Sequence, residues 1–293
     1  MKIIFITLSC LVLFAGCDLR DPDTIRIGSK NFTEQVIIGE IMAIMLEENT
    51  DFRIDRRFNL AGTMVCFNSL RTGALDIYAE YTGTALSVIL EEDLRSDPDE
   101  VFELVKSEYN ERWNLHWLDP FGFDNAYTLT MRRSQAEELG IETVSDLVKK
   151  AGELTAGFDA EFLNRSDGYP GLREHYGLEF KGRPRQMDPG LMYQAAADGR
   201  VDVISGFATD GRIPALDLMI IEDDKEFFPP YHAAPVLHGD VFGDRPEVVE
   251  VLNRLHGLID DETMQYLNYE VDGNGRRPAD VAREFLEEEG LIG

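Results

Sequence analysis

Gly73-Ala74-Leu75-Asp76-Ile77 returns 126 positions later as Gly199-Arg200-Val201-Asp202-Val203. Each copy sets an aspartate three residues after a glycine and then opens an apolar, strand-like run. The same step carries Tyr81 onto Phe207. Each copy therefore places an aromatic ring just after a strand of one pattern. A chain that repeats a strand and its flanking turn in this way is constrained towards two similar lobes, each presenting a ring to something between them. Cys17 to Gly293 is 277 residues, long enough for two compact lobes.

The first residues read as a targeting segment. Lys2 is the charged start and Ile3 to Phe14 an apolar run of twelve, too short to span a membrane as a mature helix. Phe14-Ala15-Gly16-Cys17 has the small residues before a cysteine that mark lipoprotein processing. The expectation is a signal peptide over 1–16, a lipid anchor on Cys17 and a polar tether over 17–24. Such a chain is a soluble domain tied to the outer face of the cytoplasmic membrane, periplasmic where there are two membranes. Cys10 goes with the leader and Cys17 takes the lipid. Cys66, in the apolar Met64-Val65-Cys66-Phe67, is left without a disulfide partner and reads as a core thiol.

Charge narrows the partners. The formal net charge is −27, and loss of Lys2 with the leader makes it −28. Nucleic acid and anionic membrane surfaces are excluded as partners on that ground. Lysines number only seven, so the basic residues are mostly arginine, a balance that also fits a salt-adapted surface.

Strand and helix patterns alternate. Ile25-Arg26-Ile27 reads as a strand, and Asn31-Phe32-Thr33-Glu34 as a helix start with Asn31 as N-cap and Glu34 three residues on. Phe52 to Leu60 alternates as a strand, and Thr63 to Thr72 is a helix ended by Gly73. Strands follow at Tyr127 to Met131, Leu154 to Gly157 and Val201 to Ser205, with helices at Gly190 to Ala197, Pro246 to Leu258, Thr263 to Tyr269 and Ala279 to Glu288. The fold class expected is α/β: a two-lobed, type II periplasmic-binding-protein-like fold. Each lobe has a mixed, mostly parallel sheet flanked by helices, with a ligand cleft between the lobes. Lobe 1 is expected over 25–126 and 232–293, lobe 2 over 127–231, with crossings near Asn125–Tyr127 and Pro229–Tyr231.

In open α/β sheets ligands sit beyond the carboxyl ends of the strands. The residues there are Lys30, Tyr81, Thr84, Phe207, Thr209 and Asp210, with Asn125, Tyr127 and Tyr231 at the crossings and Arg165 in a loop. A lone aromatic ring after a strand packs into a core more often than it touches a ligand. Rings converging on one cleft have a further use, because their electronegative faces attract a cation that cannot hydrogen-bond, such as a quaternary ammonium. Lys30, Arg165 and the Thr84 hydroxyl would hold a carboxylate. Rings at one end and cations at the other match a betaine.

The chain resembles the glycine betaine/choline/carnitine-binding proteins of ABC importers. The likeness rests on Ile27-Gly28-Ser29-Lys30-Asn31-Phe32-Thr33-Glu34-Gln35, Ala79-Glu80-Tyr81-Thr82-Gly83-Thr84, Phe123-Asp124-Asn125-Ala126-Tyr127, Arg165-Ser166-Asp167-Gly168-Tyr169-Pro170-Gly171 and Ala208-Thr209-Asp210-Gly211-Arg212, in order and spacing from about Ile25 to Leu291. It implies an aromatic cage of Tyr81, Tyr127, Phe207 and Tyr231, a carboxylate end of Lys30, Thr84 and Arg165, and Asn125 lining the cage. Phe207 departs from the tyrosine usual at its position and lacks the hydroxyl. The resemblance implies a monomer without cofactor or bound metal, whose partners are a small quaternary ammonium ligand and the permease and ATPase subunits of an importer. Alternatives are another compatible solute, a ligand-sensing module without transport, and an exported enzyme. For the enzyme, the five histidines form no His-Glu-x-x-His spacing and no Gly-x-Ser-x-Gly elbow is present.

Overall fold

The computed structural model describes residues 21–293, so the expected leader, Cys17 and the first part of the tether lie outside the described residues. Among the described residues, ten strands are arranged in two sheets. The first contains β1 (Thr24–Gly28), β2 (Arg53–Arg57), β3 (Ile77–Tyr81), β4 (Leu115–Trp117) and β10 (Ala233–His238), in the order β2-β1-β3-β10-β4. The second contains β5 (Tyr127–Arg132), β6 (Ala156–Phe158), β7 (Arg185–Gln186), β8 (Val203–Phe207) and β9 (Leu218–Ile221), in the order β7-β6-β8-β5-β9. The two orders are one topology used twice. In each sheet the first three strands pair in parallel, and the fourth runs antiparallel to both neighbours. Four strands of each sheet thus point one way and one points back. The sheets are mixed, because the reversed strand enters each sheet from a crossing and not from a helical return.

The 126-residue repeat has a structural basis. Helix α2 (Thr63–Arg71) corresponds, residue for residue, to the Pro189–Ala197 helix, and β3 to β8. Gly73 and Gly199 both take a left-handed conformation, φ 70° and 71°, that an L side chain resists. The Asp76 carboxylate then accepts from the Arg26 backbone N–H at 2.8 Å, and that of Asp202 from the Thr155 backbone N–H at 2.7 Å. The repeated aspartate fastens each strand to the segment beside it. All five residues of β3 are buried, so its short apolar run is a central strand.

Helix α1 (Thr33–Asn49) is buried on nearly every face over Ile37 to Leu46. It packs against β-strands of the first sheet and against the Pro246–Asn253, Asp261–Asp272 and Pro278–Glu288 helices. A helix apolar all round needs cover on all sides, and the C-terminal helices supply it. Cys66 is fully buried and burial pushes its thiol up to about 12.

The helix start differs from the capping box expected at Asn31. α1 begins at Thr33 with Phe32 at the cap position and no side-chain capping bond; Asn31 is exposed. The Glu34 side chain is drawn inward to other donors, leaving the reciprocal cap unmade. Strand limits also shift. The strand expected over Val201–Ser205 is β8 at Val203–Phe207, because Asp202 is committed to Thr155, so Phe207 closes the strand itself. The strand expected over Leu154–Gly157 is Ala156–Phe158.

The chain passes from the first sheet to the second between Trp117 and Tyr127, and returns between Ile221 and Ala233. The two crossings run side by side. Asp124 bridges to His232, the Asn125 N–H donates to the Tyr231 carbonyl at 3.2 Å, and the Tyr231 N–H donates to Asp124 Oδ1 at 2.9 Å. No helix among the described residues is long and apolar enough to cross a membrane.

Candidate ligand-binding cleft

One cavity between the sheets is lined by Tyr81, Tyr127, Phe207, Tyr231, Lys30, Thr84, Asn125 and Arg165 together, all eight of the residues expected there. Its empty volume is about 560 Å³, open mouth included. Tyr81 ends β3, Tyr127 starts β5 and Phe207 ends β8, so strand ends aim three rings at the gap. Tyr231 comes from the return crossing. Tyr127 lies 5.2 Å from Phe207 and 5.9 Å, edge-on, from Tyr231, centroid to centroid.

A fifth ring joins them. Phe32 stacks on Phe207 at 5.6 Å and 4°, and on Tyr81 at 6.3 Å and 25°. The rings therefore form a continuous arc, Tyr81–Phe32–Phe207–Tyr127–Tyr231. Beyond the Phe32–Phe207 pair lies a second, more polar cavity bordered by Glu34, Thr209, Asp210, Arg212 and Asp272. Thr209 and Asp210 face that side and do not line the aromatic cavity.

The cations of the cleft are buried and already paired. Lys30 Nζ is 2.5 Å from Glu80 Oε1 and 5.1 Å from the Tyr81 ring centroid. Glu80, fully buried, also accepts from the Tyr81 N–H at 2.7 Å and the Tyr78 hydroxyl at 3.1 Å. Arg165 is held two-pronged by Asp167 and donates to Thr84 Oγ1 at 3.2 Å, with its guanidinium 5.2 Å from the Tyr127 ring centroid. Asp167 further accepts from Tyr231 Oη at 2.6 Å and Ser87 Oγ at 2.8 Å. Burial would raise the Asp167 carboxyl, but Arg165 and these hydroxyls outweigh it and hold it below the usual carboxylate value. Burial raises Asp159, at the cavity wall, and also Glu34. No group of three or more His, Cys, Asp or Glu side chains among the described residues could hold a metal ion.

Residues 23–288 match the family described as the substrate binding domain of ABC-type glycine betaine transport systems. The chain belongs to that family. It is 39% identical over 267 residues to the carnitine transport binding protein OpuCC of Listeria monocytogenes, covering 90% of this chain and 86% of that one. It is 37% identical over 295 residues to a glycine-betaine-binding protein of Pseudomonas aeruginosa, covering 97% and 94%. A crystal structure of a glycine betaine/carnitine/choline ABC transporter protein superposes with a TM-score of 0.77 at 34% identity, over 92% of this chain and all of that one. Family membership makes the chain a substrate-binding protein of an ABC importer and not an enzyme.

Two members of the cleft carry little signal in the sequence. Phe32 stands in the segment that reads as a helix cap, where an aromatic residue looks incidental; only the fold turns it onto Phe207. Glu34 imitates the N3 position of a capping box. Its signal is weak, since a capping glutamate and a buried one look alike in sequence.

Proposed function

We propose that this chain is a lipid-anchored, extracytoplasmic solute-binding protein that captures glycine betaine or a related quaternary ammonium compound and delivers it to an ABC importer. One observation carries this reading: a single cavity gathers an arc of aromatic rings together with Lys30, Thr84 and Arg165, the two cations lying against the Tyr81 and Tyr127 rings. Trimethylammonium offers only methyl groups, so ring faces are its natural partners, worth about 2 kcal/mol where water is excluded. Tyr81, Tyr127, Phe207 and Tyr231 form the cage, Phe32 completes it, and Asn125 lines it. The carboxylate of a betaine takes N–H groups of Lys30 and Arg165 and the Thr84 hydroxyl. The two sheet bodies act as lobes that close over the ligand about the paired crossings, and the closed form is what the permease engages. Cys17 carries the anchor.

Choline is the second reading. Glu80 and Asp167 already neutralise Lys30 and Arg165, which lowers the advantage of a ligand carboxylate and suits a ligand with a hydroxyl in its place. Calorimetric titration with glycine betaine, carnitine and choline separates them. A dissociation constant in the micromolar range, about −8 kcal/mol, is expected for at least one. Absence of binding by all three would sink the proposal.

A further inference from the structure

The Glu34 carboxylate gathers donors from three parts of the fold while only 3% exposed. Its Oε1 accepts from the Tyr81 hydroxyl and from Asn125 Nδ2, both at 2.7 Å. Its Oε2 accepts from Thr209 Oγ1 at 2.5 Å and from Asn268 Nδ2 at 3.1 Å. Tyr81 and Asn268 belong to the first sheet's body, Asn125 to a crossing, and Thr209 to the second sheet's body, just after β8. Asn125 and Asn268 leave their Oδ1 atoms buried without a partner, although turning either amide over would relocate that oxygen. Turned over, each amide would set its oxygen against the carboxylate. Glu34 therefore fixes the Asn125 amide, and together with the Thr209 carbonyl, which accepts from Asn268 Nδ2 at 3.0 Å, it fixes that of Asn268, at the cost of two unpaired acceptors.

We propose that Glu34 is the tie between the aromatic cage and lobe closure. It is a positioning residue, holding a cage ring by the Tyr81 hydroxyl with one oxygen and the opposite lobe by Thr209 with the other. The proposal rests on the reading above that the lobes close over a ligand. When the lobes part, Tyr81 and Asn268 stay with Glu34 on the first body, and Thr209 departs. The Thr209 bond is thus formed only in the closed arrangement, which the free chain samples, and being charge-assisted and shielded from water it shifts that equilibrium towards closure before any ligand binds. Thr209 does not line the aromatic cavity, so its effect on a ligand passes through Glu34 and closure.

Thr209→Val keeps the side-chain shape and removes the donor. In the ligand-free protein, small-angle X-ray scattering should show a larger mean radius for Thr209→Val than for the natural chain, with Thr209→Ser restoring the compact form. In stopped-flow binding of glycine betaine, Thr209→Val should dissociate about tenfold faster with an unchanged association rate, a loss set by one charge-assisted hydrogen bond. Circular dichroism melting serves as the control for folding. Equal radii for Thr209→Val and the natural chain would overturn the tie. That comparison needs no ligand, so failure of glycine betaine to bind would count against the proposed function and leave the scattering result to decide the tie.

Discussion

Arg165 and Asp167 illustrate how burial changes the meaning of a substitution. The Asp167 side chain is wholly buried, and Arg165 is its counter-ion. Arg165→Ala alone would strand that charge and weaken every ligand, so it cannot identify a carboxylate end. The paired replacement Arg165→Gln with Asp167→Asn removes both charges together. Titration of this double variant should show glycine betaine weakened about tenfold or more and choline little changed, since only the former loses a charge-assisted bond. Equal losses would place the ligand carboxylate elsewhere. Glu34 makes a second prediction. Burial holds its carboxyl above the ordinary 4.5, against four hydrogen bonds that favour the ionised form. A carboxyl with a raised folded value binds its proton more tightly folded than unfolded. Its contribution to stability therefore grows as pH falls from that folded value towards 4.5, and is smallest at neutral pH. Urea denaturation from about pH 7 to about pH 4 should show Glu34→Gln without that part of the slope. Asp159 and Asp124 shift in the same direction, so the difference between variant and natural chain isolates Glu34. At this scale the eight ring, cation and polar positions were legible in the sequence because they sit beside strand ends, at the two crossings and in the loop that carries Arg165. Phe32 and Glu34 were not, because a local cap explained them equally well.

Among the elements, the turn after β3 is the most exacting. Thr82–Thr84 run into a wide π-type turn over Ala85–Ile89, a departure from regular helix often found at functional sites. Gly83 lies against the return crossing. A Cβ there would stand 2.8 Å from the Pro230 carbonyl oxygen and 2.9 Å from the Tyr231 ring. Gly83→Ala should therefore push Tyr231 out of place, lowering stability by ~1–3 kcal/mol in urea denaturation and weakening ligand binding in calorimetry. Retention of full affinity would show that Tyr231 does not contribute as placed. β10 explains a limit on reading elements. Pro235 sits in its middle, between β3 and β4, a position where proline normally argues against a central strand. The structure accommodates it, and the Pro235 carbonyl accepts from the Leu118 N–H at 2.9 Å. Nothing local announces such a strand, since its place depends on partners some 120 and 155 residues away in sequence.

For the molecule as a whole, closure and charge act together. The bodies meet across the cleft through Arg165 to Thr84, Ser87 to Asp167 at 2.8 Å, Arg212 to Asp272 at 3.2 Å and Gln265 to the Ala208 carbonyl at 2.8 Å. A ligand bound only by the folded form should raise the melting temperature, with about 2.7 kcal/mol of added stability at a hundredfold excess over its dissociation constant. A net charge of −27 opposes compaction, so added salt should raise the melting temperature of the ligand-free protein as well. A melting temperature indifferent to salt would show that local pairing, and not overall repulsion, sets stability. The doubled topology, the strand ends that carry three of the rings and the family can be read along the chain, because turn glycines, strand aspartates and aromatic motifs are local and spaced in register. The pairing of Lys30 and Arg165, the place of Phe32 in the arc and the link that Glu34 makes to Thr209 emerge only in the folded molecule. Those facts depend on which buried groups find each other once water is excluded, and partners such as Glu34, Thr209 and Asn268 meet across distances that no local pattern encodes.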